Sequence, residues 1–261
     1  MSALEGKVIV VTGASTGIGR GSAEIMARQG AKLLLVARSE GTLGEACESI
    51  RSAGGTADYL AGDVSVKDTT LAAVARAEEL YGPVDGFFGN AGMSGAMAPV
   101  QDYPDEDFEA ILNLNLKSLF WAMKRLLPSM IERRTGSIVL TGSLASERGF
   151  PMTAGYVTTK HALLGLARCA AAEVSRHNVR VNVIIPGLIE TPLLANVAEF
   201  YGGDVETTMK VLGAMAPMGR VGSAAEVGEV VAFLMSDAAS YVSGQAWSID
   251  GGILGTFNTG Q

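Results

Sequence analysis

The chain has 261 residues, 48% of them hydrophobic, with 33 glycines and a formal net charge of −7. The negative charge and scattered basic residues argue against nucleic acid or an anionic membrane surface as partner, since both reward clustered Lys and Arg. Cys47 and Cys169, with His161 and His177, offer no metal-ligand spacing and suit a reducing cytoplasm. No segment approaches the roughly 20 apolar residues of a membrane span, and Val8–Val11 is too short for a signal h-region.

Lys7–Val11 is β-branched without polar alternation, as in a strand buried on both faces of a parallel sheet. Thr12-Gly13-Ala14-Ser15-Thr16-Gly17-Ile18-Gly19 follows, then a helical pattern through Ala23, Ile25, Met26 and Ala27 that stops at Gly30. Strand, glycine turn and helix read as a dinucleotide grip, although a Gly-rich turn alone is also met as a merely structural feature. The glycines let backbone approach a pyrophosphate, and the helix N-terminus meets its charge. The spacing differs from G-x-G-x-x-G, and Ser15 and Thr16 add neutral hydrogen-bonding groups.

Lys32–Val36 is the second strand. About 20 residues past the glycines an acid normally meets the adenosine ribose, but here Ala37 and Arg38 stand at the strand end. A guanidinium binds a 2′-phosphate bidentately where a carboxylate repels it, which favours NADP; Glu40 nearby keeps NAD open. A helix through Leu43, Ala46, Cys47 and Ile50 ends at Gly54–Gly55. Ala57–Ala61 then leads to Gly62-Asp63-Val64, where Asp63 accepts from an adenine amino group or caps a helix beginning near Lys67.

Val84–Phe88 is the fourth strand. Its exit, Gly89-Asn90-Ala91-Gly92, lets backbone lie against a flat ligand, or Asn90 braces neighbouring strands. From Pro104 a helix carries Phe108, Ile111, Leu112, Leu116, Leu119 and Phe120, interrupted by Asn113 and Asn115, one of which bends it or holds water. Lys124–Arg125 and Arg133–Arg134 read as solvated surface.

Ser137–Leu140 is a fifth strand, with Ser143 just past its end, where α/β sheets bind ligands. Tyr156 and Lys160, at i and i+4, share one face of a following helix. A cation at about 4 Å with an effective dielectric near 20 favours the phenolate by roughly 4 kcal/mol, at most about a thousandfold in the ionisation constant. The expectation is a phenol brought near working pH, with Ser143 holding a carbonyl oxygen. Such a Tyr/Lys pair also arises by chance on many helices. Val179–Ile185 is a sixth strand ending at Pro186–Gly187. Thr191–Pro192 opens a segment with Leu193, Leu194, Val197, Phe200, Tyr201 and Met209 that reads as a substrate lid over 188–215. A helix over 226–235 and a last strand, Ala246–Ile249, complete one doubly wound domain, 1–261, without linker or repeat.

Taken together, Thr12-Gly13-x-x-x-Gly17-Ile18-Gly19, Asp63-Val64, Asn90-Ala91-Gly92, Asn115, Ser143, Tyr156-x-x-x-Lys160 and Pro186-Gly187 with Thr191 resemble the short-chain dehydrogenase/reductase family over essentially the whole chain. The resemblance implies a Rossmann fold with seven parallel strands and hydride transfer between nicotinamide and a carbonyl or alcohol carbon. By that likeness Tyr156 is the general acid/base, and Lys160 lowers its pKa and holds the nicotinamide ribose. Ser143 positions the substrate oxygen, and Asn115 keeps a water in the proton relay. Asp63 turns toward adenine and Thr191 toward the carboxamide. Gly89 stands where a second Asn is common, and Arg38 in place of the acid supports NADP. The likeness also implies a homotetramer packed through the helices carrying Asn115 and Tyr156.

Met97, Phe150, Met152, Leu188, Leu193, Leu194 and Phe200 are the candidate pocket, and their apolar character suggests a hydrophobic or cyclic ketone. A rival is reduction of a 3-oxoacyl group on an acyl carrier protein, docked on Arg133, Arg134 and Arg176. A cofactor-binding sensor without catalysis is the alternative from another class.

Overall fold

β1 (Val8–Thr12) shows why runs without polar alternation become interior strands: Val8 and Val10 join the core on one face of the sheet, Ile9 and Val11 the core on the other. The computed structural model describes residues 2–192, 194 and 205–256. With β2 (Lys32–Ala37), β3 (Thr56–Ala61), β4 (Gly86–Gly89), β5 (Gly136–Thr141), β6 (Val179–Pro186) and β7 (Ala246–Ile249), β1 forms a seven-stranded sheet ordered 3-2-1-4-5-6-7. All neighbouring strands run parallel. The chain is an α/β Rossmann-type fold, as expected.

The strand order reverses between β1 and β4, whose ends pair Thr12 with Gly89. Such a reversal is where open α/β sheets hold a ligand, outside the carboxyl ends of the strands. One face of the sheet is covered by α1 (Gly17–Arg28), α2 (Glu40–Ser52) and α8 (Ala224–Met235). The other is covered by α3 (Lys67–Tyr81), α5 (Ser118–Arg133) and α6 (Ala154–Val174). α4 (Asp105–Leu112) and α7 (Val205–Met215) complete the described helices. Of the expected lid, Leu193 and 195–204 lie outside the described residues.

The interruption at Asn113 and Asn115 takes the form of a π turn, Asn113–Lys117, between α4 and α5. Ser118 fills the widened ladder by donating its hydroxyl to the Leu114 carbonyl at 2.5 Å. Gly89 is fixed by packing: a Cβ there would lie 2.5 Å from Leu119 Cδ2 and 3.0 Å from both Leu140 Cδ2 and Phe87 Cε1. The Arg pairs need correction, because two of their members are structural rather than simply solvated. Arg125 binds Glu78 and ties α5 to α3, while Arg133 binds Asp85 at 2.8 Å and also the Val84 carbonyl. Each carboxylate draws its arginine down against the body of the protein.

Candidate active site

Building upward from the glycine turn, Gly13 and Gly17 have φ of 66° and 54°, in the left-handed region that favours glycine. A Cβ on Gly13 would stand 2.9 Å from the Ala91 Cα, and one on Gly19 only 2.1 Å from the Gly13 carbonyl. Thr12 Oγ accepts the N–H groups of Asn90 and Ala91 at 3.1 and 3.2 Å. Asn90 in turn donates to the Gly13 carbonyl at 3.2 Å and accepts from Thr141 Oγ at 3.2 Å. Asn90 is therefore the brace between the ends of β1, β4 and β5.

α1 begins at Gly17 with no side-chain cap and no acid in its first turn, so its leading N–H groups are available to an anion. The Thr191 methyl lies over Gly17, 3.1 Å from where a Cβ would be, which brings the segment after Pro186–Gly187 to the glycine turn. Gly187 itself lies against Asp250, whose Cα would be 2.6 Å from an added Cβ. Arg38 is exposed at the end of β2 and makes no hydrogen bond or ion pair among the described residues. Asp63 accepts from Ser65 N–H at 2.9 Å, closing a turn two residues on rather than capping α3, whose N-cap is Val66. Val64 beside it is buried. A glycine cradle closed to side chains, an uncapped helix start and a free guanidinium fit a nicotinamide dinucleotide.

Ser143 leaves β5 and caps the short helical turn Leu144–Ser146, accepting from Ala145 N–H at 3.2 Å while its own N–H donates to Ser146 Oγ at 3.1 Å. Its hydroxyl also hydrogen-bonds the Tyr156 phenol. Tyr156 lies in the first turn of α6, with Lys160 one turn on and its Nζ 5.5 Å from the phenol ring centroid. Burial pushes the Tyr156 phenol up, and a hydrogen bond with Ser143 only partly offsets it. Burial, rather than a lowering by Lys160, sets the direction for the phenol here. Lys160 is itself 5% exposed, burial lowers it from 10.5 to about 8, and it donates to the Thr141 carbonyl at 2.6 Å.

Asn115 is fully buried and its amide clamps Met93, accepting from the N–H and donating to the carbonyl, both at 2.9 Å. Its second amide proton reaches Thr159 Oγ at 3.3 Å, and Thr159 donates to the Tyr156 carbonyl at 2.8 Å. The Asn115 side chain thus joins the loop after β4 to the helix bearing Tyr156. Thr141 and Thr159 were not singled out in the sequence; for Thr141 the available signal was its place at the end of the β5 run, two residues before Ser143.

Of the pocket candidates, Phe150 and Met152, in the segment between Ser143 and Tyr156, are 43% and 41% exposed, and Met97 and Leu194 are part-buried. Leu188 lines a cavity of about 300 Å³ with Ile189, Met218, Ser248 and Asp250. Leu193 and Phe200 lie outside the described residues. Among the described residues no group of three His, Cys, Asp or Glu side chains is placed to hold a metal, and no helix is long and apolar enough to cross a membrane.

The model of a family described as Enoyl-(Acyl carrier protein) reductase matches residues 13–254. The chain is 38% identical over 253 residues to 2,5-dichloro-2,5-cyclohexadiene-1,4-diol dehydrogenase of Sphingobium indicum, covering 97% of this chain and 98% of that protein. It belongs to the short-chain dehydrogenase/reductase family. Levodione reductase of Leifsonia aquatica is 36% identical over 251 residues, covering 94% of this chain and 93% of its own. The crystal structure of an actinorhodin polyketide ketoreductase with NADPH superposes with a TM-score of 0.91 at 34% identity, over 96% of this chain and 98% of that one. The chain is accordingly an oxidoreductase of the NAD(P)-dependent alcohol dehydrogenase/carbonyl reductase kind, acting on a small molecule.

Proposed function

We propose that this short-chain dehydrogenase/reductase interconverts a hydrophobic or cyclic ketone and its secondary alcohol with NADP(H). The observation that carries the reading is Tyr156, hydrogen-bonded by Ser143 and backed by buried Lys160, at the carboxyl edge of the sheet beside the glycine cradle. Gly13, Ser15, Thr16, Gly17, Ile18 and Gly19 would hold the pyrophosphate; Asp63 and Val64 the adenine; Asn90, Ala91, Gly92, Pro186, Gly187 and Thr191 the nicotinamide end. Bound there, the dinucleotide supplies or accepts a hydride. Arg38, without a partner among the described residues, supports NADP over NAD at the adenosine end.

A phenol held above its ordinary pKa is protonated at neutral pH, so Tyr156 is poised as a proton donor, the role that ketone reduction asks of it. Ser143, whose hydroxyl meets the phenol when no substrate is present, turns its proton to the same carbonyl oxygen and fixes it beside the phenol. Lys160 keeps a cation under the ring face and holds the nicotinamide ribose. Asn115, whose side-chain amide is engaged by Met93 and Thr159, serves the proton relay by holding the loop and the helix in register.

The exposed apolar Phe150 and Met152 support an apolar substrate, and the ring alcohol in the name of the Sphingobium relative supports a cyclic one. Acyl-carrier-protein chemistry, which the matching family's description raises, is the second reading. Its proposed dock is poorly placed, because Arg134 and Arg176 precede β5 and β6 at the amino edge of the sheet, opposite Ser143 and Tyr156. Arg133 is already bound to Asp85. Phe120, 45% exposed on α5, supports packing of that helix in a homotetramer, and free Cys47 and Cys169 support a cytoplasmic setting. The sheet that spans the chain supports one domain over 1–261.

Turnover of cyclic ketones, open-chain ketones and a carrier-bound 3-oxoacyl thioester, each with NADPH and NADH, tests the reading. The expected order puts a cyclic ketone with NADPH highest in kcat/KM. A thioester preferred over every free ketone, or NADH preferred over NADPH, overturns the corresponding part. Dinucleotide binding with no turnover of anything would instead favour a sensor.

A further inference from the structure

Residues 93–98, which leave the carboxyl end of β4 beside the catalytic pair, are held at both ends. Met93 is gripped by the Asn115 amide, and Ala98 donates its N–H to the Met152 carbonyl at 2.9 Å, with a bridge between Ala98 and Thr153 alongside. Met152 has φ 66°, a left-handed conformation that strains a long side chain, so the second attachment is made against a backbone cost. Between the ends lies Gly95, with φ 70°.

A third fixation occurs there. A Cβ on Gly95 would stand 2.7 Å from Tyr103 Oη, and one on Gly155 would stand 2.6 Å from the same oxygen. The hydroxyl, with the Ile111 side chain beside it at 3.0 and 2.9 Å from the same two Cβ positions, fills the space between the loop and the first turn of α6, one residue ahead of Tyr156. Its ring is seated edge-on against Phe108, centroids 6.1 Å apart. The oxygen is buried and has no hydrogen-bond partner among the described residues. A buried hydroxyl left unpaired is destabilising, and a Phe at this position would avoid the cost. Burial and the Asp107 carboxylate push its phenol up, while the Ala96 backbone pulls weakly the other way without reaching hydrogen-bond geometry. Tyr103 therefore stays neutral and takes no part in the proton chemistry of Tyr156.

We propose that Tyr103 is a specificity-determining positioning residue: its buried hydroxyl wedges between Gly95 and Gly155 and sets how far residues 93–98 stand from Tyr156. The proposal rests on the ketone-reducing reading above. Met93, Ala96 and Met97 give that loop an apolar, uncharged surface, suited to the walls of a ring ketone site. With the oxygen removed, the loop settles toward α6 and the space beside the phenol narrows, which penalises a bulky ketone more than a small one.

The test is steady-state kinetics of the whole protein with NADPH on cyclohexanone and on the bulkier decalone. Tyr103→Phe is expected to move the ratio of kcat/KM values about five-fold or more toward cyclohexanone, with NADPH affinity unchanged. A purely structural role would lower both ketones together and leave the ratio alone. Gly155→Ala, which drives a Cβ into the oxygen, is expected to lower kcat/KM for both ketones about ten-fold. The double variant, with the oxygen gone but Ile111 Cγ2 still 2.9 Å from the added Cβ, recovers the part of that loss that the oxygen causes. A ratio that stays fixed or moves toward decalone in Tyr103→Phe, or losses that simply add in the double variant, overturns the proposal. Should Gly155→Ala fail to fold, the Tyr103→Phe ratio decides alone. Tyr156→Phe is the reference: if it leaves cyclohexanone turnover intact, the underlying reading fails, which is a different result from an unmoved ratio.

Discussion

Replacing Lys160 with Met separates what the lysine costs the fold from what it gives the site. Folding moves the ammonium from water, where it titrates at 10.5, to a buried position where it titrates at about 8. The unfolded chain binds more protons than the native protein between those values, so native stability rises as pH climbs from about 8 toward 10.5. Below pH 8 the full desolvation penalty is present. Between pH 7 and pH 10 the unaltered protein should gain about 2–3 kcal/mol relative to Lys160→Met, an order-of-magnitude figure from the lowered pKa. Groups common to both proteins cancel in that comparison. At pH 7 the variant also leaves the Thr141 carbonyl without its donor, a loss of about 1–3 kcal/mol that offsets the relief from burying no charge. The absolute difference at one pH is thus less telling than its slope. Urea unfolding at fixed protomer concentration across pH 7–10 measures it, and parallel stability curves for the two proteins would refute the reasoning.

Arg38→Ala should weaken NADPH binding by about ten-fold or more, the worth of a charge-assisted hydrogen bond to phosphate, and leave NADH binding unchanged; equal losses for both in a fluorescence titration would remove the basis for NADP. Gly89→Ala should lower stability by about 1–3 kcal/mol, because its Cβ meets Leu119 Cδ2 at 2.5 Å. An unchanged urea midpoint would show that the three surrounding side chains yield without cost.

The elements most legible in the sequence were those whose signal is local. Val8–Val11 carries the mark of a strand buried on both faces in four consecutive residues, and Gly13, Gly17 and Gly19 mark their turn by standing between that strand and a helical pattern. Tyr156 and Lys160 follow from helix periodicity, and the irregularity at Asn113 and Asn115 follows from polar residues in an apolar pattern. The directions of polar side chains were not legible, because partners distant in sequence decide them. The spacing of Tyr156 and Lys160 suggests a cation aimed at a phenol, whereas the Thr141 carbonyl, 19 residues away, takes the ammonium. Asp63 presented two open choices and the structure adds a local turn to Ser65. Tyr103 has no motif at all, since its place is defined only when Gly95, in the loop after β4, and Gly155, in the first turn of α6, approach each other. Arg133 read as a surface charge because Asp85, its partner, lies 48 residues back in the chain.

The central claim is that the Tyr156 phenol moves the proton in ketone reduction. Tyr156→Phe keeps the ring and removes the oxygen, so its turnover of a ketone that the unaltered protein reduces is the direct measurement. Turnover should fall by about 10²–10⁴-fold, the usual contribution of a positioned acid, while NADPH still binds within about two-fold of its original affinity. Ketone reduction at an undiminished rate in that variant would contradict the account.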